Sequence, residues 1–303
     1  MKEETRSFYE LAVQRAVEHI AGRLDDALRL EALARECALA PLHFHRVFRG
    51  LVGETPLELH RRLRLERAAA RLLATDDAVT RIAFDAGYET HEAFTRAFRQ
   101  AFGTSPSGFR EPIAACGPGR ARTEIAARCG VHFREGGGLV TLCFTRGGIP
   151  MNIEIKPLPE LRVVTVRHVG PYDRIAEAFA RLGALAGPAG LFGPTTQMLA
   201  IYHDDPEGKA PEELQSDAAL TVPEGVAVPA GLVEQRIAAG RYACATHVGP
   251  YSGLGDAWAR LMGGFIPESG HRVGAGVSFE IYRNDPSNAP PEALRTELYV
   301  PLA

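Results

Sequence analysis

One acidic residue lies within an apolar stretch close to the end of the chain, and its neighbours suggest how it could bind a ligand. Glu280 stands between Phe279 and Ile281 and is followed by Tyr282. Strand alternation places Glu280 and Tyr282 on one face and the two apolar side chains on the other. A carboxylate buried beside aromatic rings is costly unless it meets a partner. A cationic or hydrogen-bond-donating ligand is such a partner, which makes Glu280 a candidate ligand-binding residue.

Spacing alone leaves a second position open for the same carboxylate. On a hydrated sheet face, Glu280 would pair with an arginine such as Arg283 or Arg260 and would need no ligand. The residues by themselves do not choose between these two interpretations.

Arginine side chains recur in a second pattern, which could contact DNA. The pattern F-x-R-x-F-R occurs at 44–49 and again at 94–99, fifty positions later, and marks an internal repeat. Apolar residues at i, i+3, i+4 and i+7 predict an inward helical stripe in each copy, with the polar residues on an outer stripe. Arginine on such a face can pair with guanine or clamp a phosphate. The outer stripes hold Leu42, His45, Arg46 and Arg49 in the first copy, and Glu92, Thr95, Arg96 and Arg99 in the second.

The segments before the arginine helices predict two helix-turn-helix units. Shorter helical segments precede them at 30–37 and 79–86. Gly87 suits the second turn because glycine accepts a positive φ. In this plan the second helix of each unit enters the major groove. The arginines could instead be a solvated helix face, but the duplication favours DNA reading.

A longer helix is predicted to connect the two units. Thr55 and Glu58 form a capping box with proline at the first helical position, which predicts a helix running to about Leu73. Its nineteen residues would span roughly 28 Å. That length suits two helices that read successive faces of the major groove, roughly 34 Å apart. One chain could therefore read two grooves without forming a dimer.

The second half contains a duplication of its own. The motif H-V-G-P-Y occurs at 168–172 and at 247–251, seventy-nine positions later, and the segments that follow match as well. Each copy is typical of a strand, a Gly-Pro turn, a helix, a strand, a loop and a strand. Two copies predict one antiparallel sheet system with paired helices and a groove at a pseudo-twofold axis. We expect the groove to be lined by Glu280, Tyr282, Trp258, Tyr202 and Phe179.

The two copies differ at an informative position. Alignment sets Ala200 opposite Glu280, so only one copy has an acid in this strand. Trp258 occupies the position of Phe179 in the first copy, and a helical aromatic residue is equally consistent with a place in the core.

Histidine and cysteine residues do not form a recognisable reactive set. His168 and His247 stand beside the two Val-Gly-Pro turns with no carboxylate or cysteine at ligand spacing, so we expect turn-stabilising hydrogen bonds rather than metal ligation. The five cysteines are scattered without a C-x-x-C pair, which argues against a disulfide framework or a zinc site. The sequence therefore predicts no catalytic residue, no metal and no cofactor.

Composition and charge predict two domains of different fold class. The chain has 303 residues, 46% of them hydrophobic, and a net charge of -3. Residues 29–110 hold 13 arginines against 10 acidic residues, whereas 114–303 hold 17 basic against 20 acidic residues. We expect an all-α double helix-turn-helix domain at 1–112, a linker with some local structure at 113–150, and a duplicated α+β domain at 151–303. Because no apolar run of 18 residues or apolar signal core occurs, we expect a cytoplasmic protein without a membrane partner.

The first domain resembles the DNA-binding domain of the AraC/XylS family of bacterial transcription regulators. The resemblance covers about residues 8–112 and rests on I-A-F-D-A-G-Y at 82–88, F-x-R-x-F at 94–98 and P-S-G-F-R at 106–110. Leu42 departs from family members that have a large polar or aromatic side chain at this site, which leaves the target sequence open. The resemblance implies base contacts by Leu42, His45 and Arg46, and by His91, Glu92 and Arg96.

Residues 151–303 resemble the GyrI-like small-molecule-binding domain, which also serves as the effector domain of multidrug-responsive regulators. The resemblance rests on the doubled H-V-G-P-Y, on F-E-I-Y at 279–282 and on E-L-Y-V-P at 297–301. It implies that Glu280 is a groove glutamate that faces amphipathic, often cationic, ligands.

The two resemblances together suggest a Rob-type architecture and a ligand-responsive transcription regulator. The expected partners are double-stranded DNA, RNA polymerase and a hydrophobic or cationic small molecule. One alternative is a GyrI-like hydrolase in which Glu280 and Tyr282 activate water or protonate a leaving group. Another is a module whose groove binds and inhibits a partner protein. The operator, the natural ligand, the direction of regulation and the oligomeric state are not predicted.

Overall fold

The first part of the molecule is helical, as the two repeats predict. The computed structural model describes residues 2–110, 123–135, 142–144 and 151–303, so most of the expected linker lies outside the described residues. The helices are α1 Lys2–Gly22, α2 Leu30–Glu36, α3 Pro41–Val52, α4 Pro56–Ala74, α5 Val79–Asp85, α6 His91–Phe102 and α7 Pro106–Arg110. Helices α2 and α3 form the first helix-turn-helix unit, α5 and α6 form the second, and α4 connects them.

Local signals fix the ends of these helices. Thr55 and Glu58 form the predicted capping box at the start of α4, with the Thr55 side chain accepting from the Glu58 backbone amide. Thr90 caps α6 by accepting from the amide of Ala93. Gly87 has φ +78°, the left-handed conformation that the turn between α5 and α6 requires.

The hydrophobic cores group these helices unevenly. Phe94 and Phe98 of α6 pack with the end of α4 in a core that belongs to the second helix-turn-helix unit. The first unit has no comparable core of its own in the described residues. Val13 of α1 and Phe48 of α3 instead belong to one buried cluster with Leu261 and Leu298 of the second half. The first unit and the second half therefore pack as one body.

A short connecting segment also packs onto α4. Glu66, buried in α4, accepts hydrogen bonds from the backbone amides of Ile125 and Phe133. Arg62, one turn earlier, binds both Glu66 and Glu54. These contacts satisfy a buried carboxylate and fix 123–135 against the helix that joins the two DNA-reading units.

The second half, which the structure describes without a gap from 151 to 303, forms one eight-stranded antiparallel sheet. The strands are β1 Ile153–Leu158, β2 Leu161–Val169, β3 Met198–Tyr202, β4 Gln215–Thr221, β5 Val233–Ile237, β6 Gly240–Val248, β7 Phe279–Tyr282 and β8 Arg295–Pro301. Their order is β1-β6-β8-β7-β3-β4-β2-β5. Each copy thus begins with one strand that the sequence pattern does not predict, β1 in the first copy and β5 in the second. Each of these strands pairs with the opposite copy: β1 pairs with β6, and β5 pairs with β2.

The pseudo-twofold axis passes between the central strands β3 and β7. Ala200 lies directly opposite Glu280, and Met198 lies opposite Tyr282. Because Ala200 and Glu280 are also equivalent in the two copies, this pair lies on the axis itself.

Helices cover one face of the sheet. They are α8 Ala176–Ala186, α9 Leu254–Ala259, a π-helical segment Arg260–Phe265 and α10 Ile266–Ser269. On the other face, Phe279 and Ile281 pack with Leu199 and Tyr299, which confirms the predicted alternation along β7. The fold class expected from the sequence is confirmed for both parts. None of the helices in the described ranges combines the length and apolar content needed to span a membrane.

The capping box leads to a test of stability. Thr55→Ala removes the cap of α4 and the hydrogen bond that Thr55 donates to Glu207, at 2.6 Å. We expect the free energy of unfolding to fall by about 1–2 kcal/mol, measured by urea denaturation. Thr55→Ser keeps the hydroxyl and should retain most of the stability. Equal stability of the alanine variant and the natural protein would contradict the assigned cap.

Candidate functional site

Glu280 occupies the centre of the candidate ligand site. Its side chain is on the helix-covered face of β7, and only 2% of the residue is exposed. Opposite it, Ala200 presents a methyl group rather than a second acid. The site therefore contains one buried acid on the pseudo-twofold axis.

Three aromatic side chains satisfy this carboxylate. The indole Nε1 of Trp258 donates to Oε1 of Glu280 at 2.6 Å. The hydroxyl of Tyr282 donates to Oε2 at 2.8 Å, and that of Tyr202 donates to the same oxygen at 3.4 Å. Both oxygens of Glu280 thus have donors, as a buried carboxylate requires.

Further rings extend this aromatic wall. Phe179 of α8 packs edge-on against Tyr282, with ring centroids 5.6 Å apart. Tyr172 packs against Tyr202 at 4.8 Å, and Tyr251 packs against Tyr282 at 5.5 Å. The site is an aromatic box around one acid, a combination that suits a flat or cationic guest.

A cation from the helical part already occupies this box. Arg46 of α3 is 8% exposed, and its guanidinium carbon lies 3.6 Å from the centroid of the Trp258 ring. The guanidinium stacks on the same indole that donates to Glu280. Its buried Nη1 finds no hydrogen-bond partner in the part of the chain that the structure describes.

Burial shifts the titration of both charged groups. Burial raises the pKa of Glu280, and the donated hydrogen bonds and the charge of Arg46 oppose that shift. Burial lowers the pKa of Arg46 to about 10, opposed by the charge of Glu280. At neutral pH Arg46 remains charged, so the acid and the cation stabilise each other in a site that disfavours either alone.

Burial also suppresses ionisation of the surrounding phenols. The pKa values of Tyr202 and Tyr282 lie well above the ordinary value because both are buried beside the Glu280 carboxylate. Burial raises the pKa of Tyr172 to about 12. These hydroxyls act as neutral hydrogen-bond donors at physiological pH.

The structure selects between the two positions that the sequence left open for Glu280. The interpretation that places Glu280 on a hydrated sheet face is wrong, because Glu280 is buried and Arg283 pairs with Glu297 at 2.7 Å instead. Arg260 forms no ion pair with Glu280 among the described contacts.

The predicted DNA-reading residues fall into two very different environments. On α6, Glu92, Arg96 and Arg99 are exposed, and His91 and Thr95 are half-buried. On α3, the expectation of an outward face is wrong for His45 and Arg46, since both are buried against the second half. Leu42 and Arg49 are half-buried. His45 and Arg46 are buried because the polar stripe of α3 contacts the second half of the protein instead of water.

The two turn histidines behave as expected. Nε2 of His168 lies 3.0 Å from the carbonyl oxygen of Pro171, and Nε2 of His247 lies 3.1 Å from that of Pro250. Each side chain bridges its own Val-Gly-Pro turn. In the described ranges, no group of three or more His, Cys, Asp or Glu side chains is placed to hold a metal ion.

Sequence reasoning missed three residues of the box. Tyr172 and Tyr251 end the two H-V-G-P-Y motifs, so their duplication was a signal that could have placed them at the groove. Arg46 gave no such signal, because its contact with Trp258 joins positions far apart in the sequence.

The raised pKa of Glu280 leads to a pH test that uses Trp258, the one tryptophan in the chain. Folding raises the pKa of this acid, so at a pH above its folded-state pKa the ionised group lowers the free energy of unfolding. This destabilisation disappears as the pH falls below the ordinary pKa that the acid has in the unfolded chain. Protonation also changes the acceptor of the indole N–H. We expect Trp258 emission to change with a midpoint above 4.5 as the pH is lowered.

Glu280→Gln is the control, since the amide does not titrate and should show no such transition. Arg46, Tyr202 and Tyr282, which act on the carboxylate, do not titrate near this pH. His43 and Asp205, which interact with Arg46, do titrate in the acid range, and any signal they cause should appear in both proteins. The same acid transition in both proteins would contradict the assignment.

Comparisons with known proteins match the helical part and the sheet-containing part of the chain to two different kinds of domain. Residues 151–303 match the family model described as the GyrI-like small molecule binding domain, and residues 33–112 match a helix-turn-helix domain. The DNA gyrase inhibitor of Yersinia enterocolitica is 33% identical over 129 residues, which cover 41% of this chain and 81% of that protein.

The helical part matches transcription regulators. The regulatory protein SoxS of Salmonella typhimurium is 30% identical over 105 residues, which cover 35% of this chain and 98% of that protein. The uncharacterized HTH-type transcriptional regulator YbfP of Bacillus subtilis is 35% identical over 103 residues, covering 34% of this chain and 35% of that protein. The chain therefore belongs to the GyrI-like small molecule binding domain family and carries an AraC-type helix-turn-helix domain ahead of that domain.

Proposed function

We propose that the protein is a ligand-responsive transcription regulator that binds promoter DNA and a hydrophobic or cationic small molecule. The observation that carries this proposal is the presence, in one chain, of a solvent-facing arginine helix and a buried carboxylate ringed by aromatic side chains. Neither feature is explained by stability alone, because burying an acid lowers the free energy of unfolding and a row of exposed arginines contributes little to it.

On the DNA side, α6 has the properties of a reading helix. Its Phe94 and Phe98 pack inward and fix the helix on its core, so that Arg96 and Arg99 project into solvent. Arg96 can form two parallel hydrogen bonds with guanine, and Arg99 can hold a phosphate. We assign base contacts to His91, Glu92, Thr95 and Arg96 on α6. Leu42, His45 and Arg46 on α3, with Arg49 nearby, can add base contacts only in a conformation in which α3 has left the second half.

On the ligand side, the aromatic box determines the chemical class. Glu280 supplies the negative charge, and Trp258, Tyr202, Tyr282 and Phe179 supply flat apolar faces. A guest with a delocalised positive charge gains stacking and electrostatic attraction at once, because the box excludes water. Promoter binding makes RNA polymerase the expected protein partner and the cytoplasm the expected location.

We propose further that Glu280 is a binding residue and not a catalytic one. Its oxygens already accept from Trp258, Tyr282 and Tyr202, and the stacked Arg46 lies over the same indole. A general base must be reached by a water molecule or a substrate proton, and Glu280 is only 2% exposed behind these groups. Single-turnover assays with aryl esters and epoxides test this proposal, and hydrolysis that Glu280→Gln abolishes would contradict it.

The DNA proposal is tested with fragments recovered by selection from genomic DNA. Arg96→Ala removes a side chain that reaches base edges, so we expect a loss of about 1–3 kcal/mol on the selected fragment, with a smaller loss on scrambled DNA. Fluorescence anisotropy at several salt concentrations gives both affinities and the number of phosphate contacts.

Arg174→Ala is the matched control, because Arg174 is an exposed arginine of the second half that pairs with Glu177. It should leave both affinities unchanged. An equal loss for Arg96→Ala on every sequence would make Arg96 a phosphate contact. The absence of any preferred genomic fragment would contradict the function itself.

A further inference from the structure

The DNA-reading face of α3 is covered by the ligand-binding half. Nε2 of His43 lies 3.3 Å from Oγ of Ser278, and Nε2 of His45 lies 3.5 Å from a carboxylate oxygen of Glu207. Arg49 donates to Asp256 at 2.6 Å. A helix held by these contacts cannot lie in a major groove, so the described conformation presents only α6 of the two reading helices.

Two glycines allow this close approach. A Cβ added to Gly263, in the π-helical segment, would lie 2.5 Å from the Cα of Gly50 on α3 and 2.7 Å from the carbonyl oxygen of Val47. Backbone atoms cannot give way as side-chain tips can, so any larger residue at 263 must push α3 away. Gly264, the next residue, has nothing within 4 Å of its added Cβ.

Arg46 is the part of α3 that enters the ligand site. It brings a planar, delocalised cation to 3.6 Å from the Trp258 ring centroid, where the charges of Glu280 and the buried Asp205 act on it. Its buried Nη1 has no hydrogen-bond partner among the described residues, so Arg46 does not use all of its donors in the box. A small cation with better-placed donors could replace it.

We propose that Arg46 is an internal occupant of the ligand site, and that a planar cationic ligand takes its place on Trp258 and frees α3 to bind DNA. This inference rests on the proposed function and specifies its regulation. Because ligand and docked α3 compete for one place, each lowers the apparent affinity of the site for the other. Binding of DNA by α3 and binding of the ligand then favour the same undocked state.

Phenylguanidinium is a suitable probe, with phenylurea as its neutral isostere, because it copies the guanidinium of Arg46. Trp258 emission reports its binding directly, since the chain has a single tryptophan. We expect phenylguanidinium to bind Arg46→Ala at least about tenfold more tightly than the natural protein, because the competing side chain is gone. Phenylurea should bind both proteins weakly, and Arg174→Ala, which changes an exposed arginine outside α3, should behave like the natural protein.

Hydrogen exchange of the α3 amides is the second measurement, carried out on the unsubstituted chain. Phenylguanidinium should increase exchange in α3 and leave α6 unchanged. Equal affinity of phenylguanidinium for Arg46→Ala and the natural protein, or unchanged α3 exchange at saturating probe, would overturn the proposal. If Arg46→Ala does not fold, the exchange experiment decides alone.

The DNA consequence is tested without altering a reading helix. Gly263→Ala should undock α3 and raise affinity for the selected genomic fragment several-fold without ligand, whereas Gly264→Ala should not. Unchanged DNA affinity of a folded Gly263→Ala would count against release of α3. If no fragment is preferred by any variant, the proposed function fails, and the fluorescence and exchange results still decide whether Arg46 occupies the site.

Discussion

The second half of the molecule depends on the burial of a single carboxylate. Glu280 lies on the pseudo-twofold axis, where it is buried and, among the described residues, receives hydrogen bonds from side chains alone. A buried acid without donors would cost several kcal/mol, so the surrounding residues are constrained to supply them. Trp258 and two tyrosines do so from different elements, and these residues then form the walls of the box. The ligand site is thus a consequence of satisfying one charge.

The same charge explains why the two halves of the chain meet where they do. Three neutral donors satisfy the hydrogen bonds of Glu280 but leave its net charge without a counter-ion. Arg46 supplies that counter-ion, and α3 has to dock against α9 and the π-helical segment for it to do so. The shared hydrophobic core reinforces the arrangement. The second helix-turn-helix unit, which has its own core, takes no part in it.

Features with short-range causes could be predicted from the sequence. The capping box at Thr55, the positive φ at Gly87, the two helix-turn-helix units and the alternation along β7 each depend on neighbouring residues. The burial of Arg46 could not be predicted, because helical periodicity identifies a polar face but not what covers it. The exchanged strands β1 and β5 were missed as well, since their pairing partners belong to the opposite copy. The sequence left Glu280 either in a buried ligand site or on a hydrated sheet face, and only its packing in the folded structure decides for the buried site.

The pair of residues on the pseudo-twofold axis sets a condition on how such a domain can be built. Two identical subunits related by true symmetry must place the same side chain on both sides of their axis. An acid there would face its own copy, and two neighbouring carboxylates cannot both stay ionised. Joining the halves in one polypeptide lets Glu280 face Ala200. Covalent fusion therefore permits an asymmetric binding site that a homodimer of the half-domain could not have.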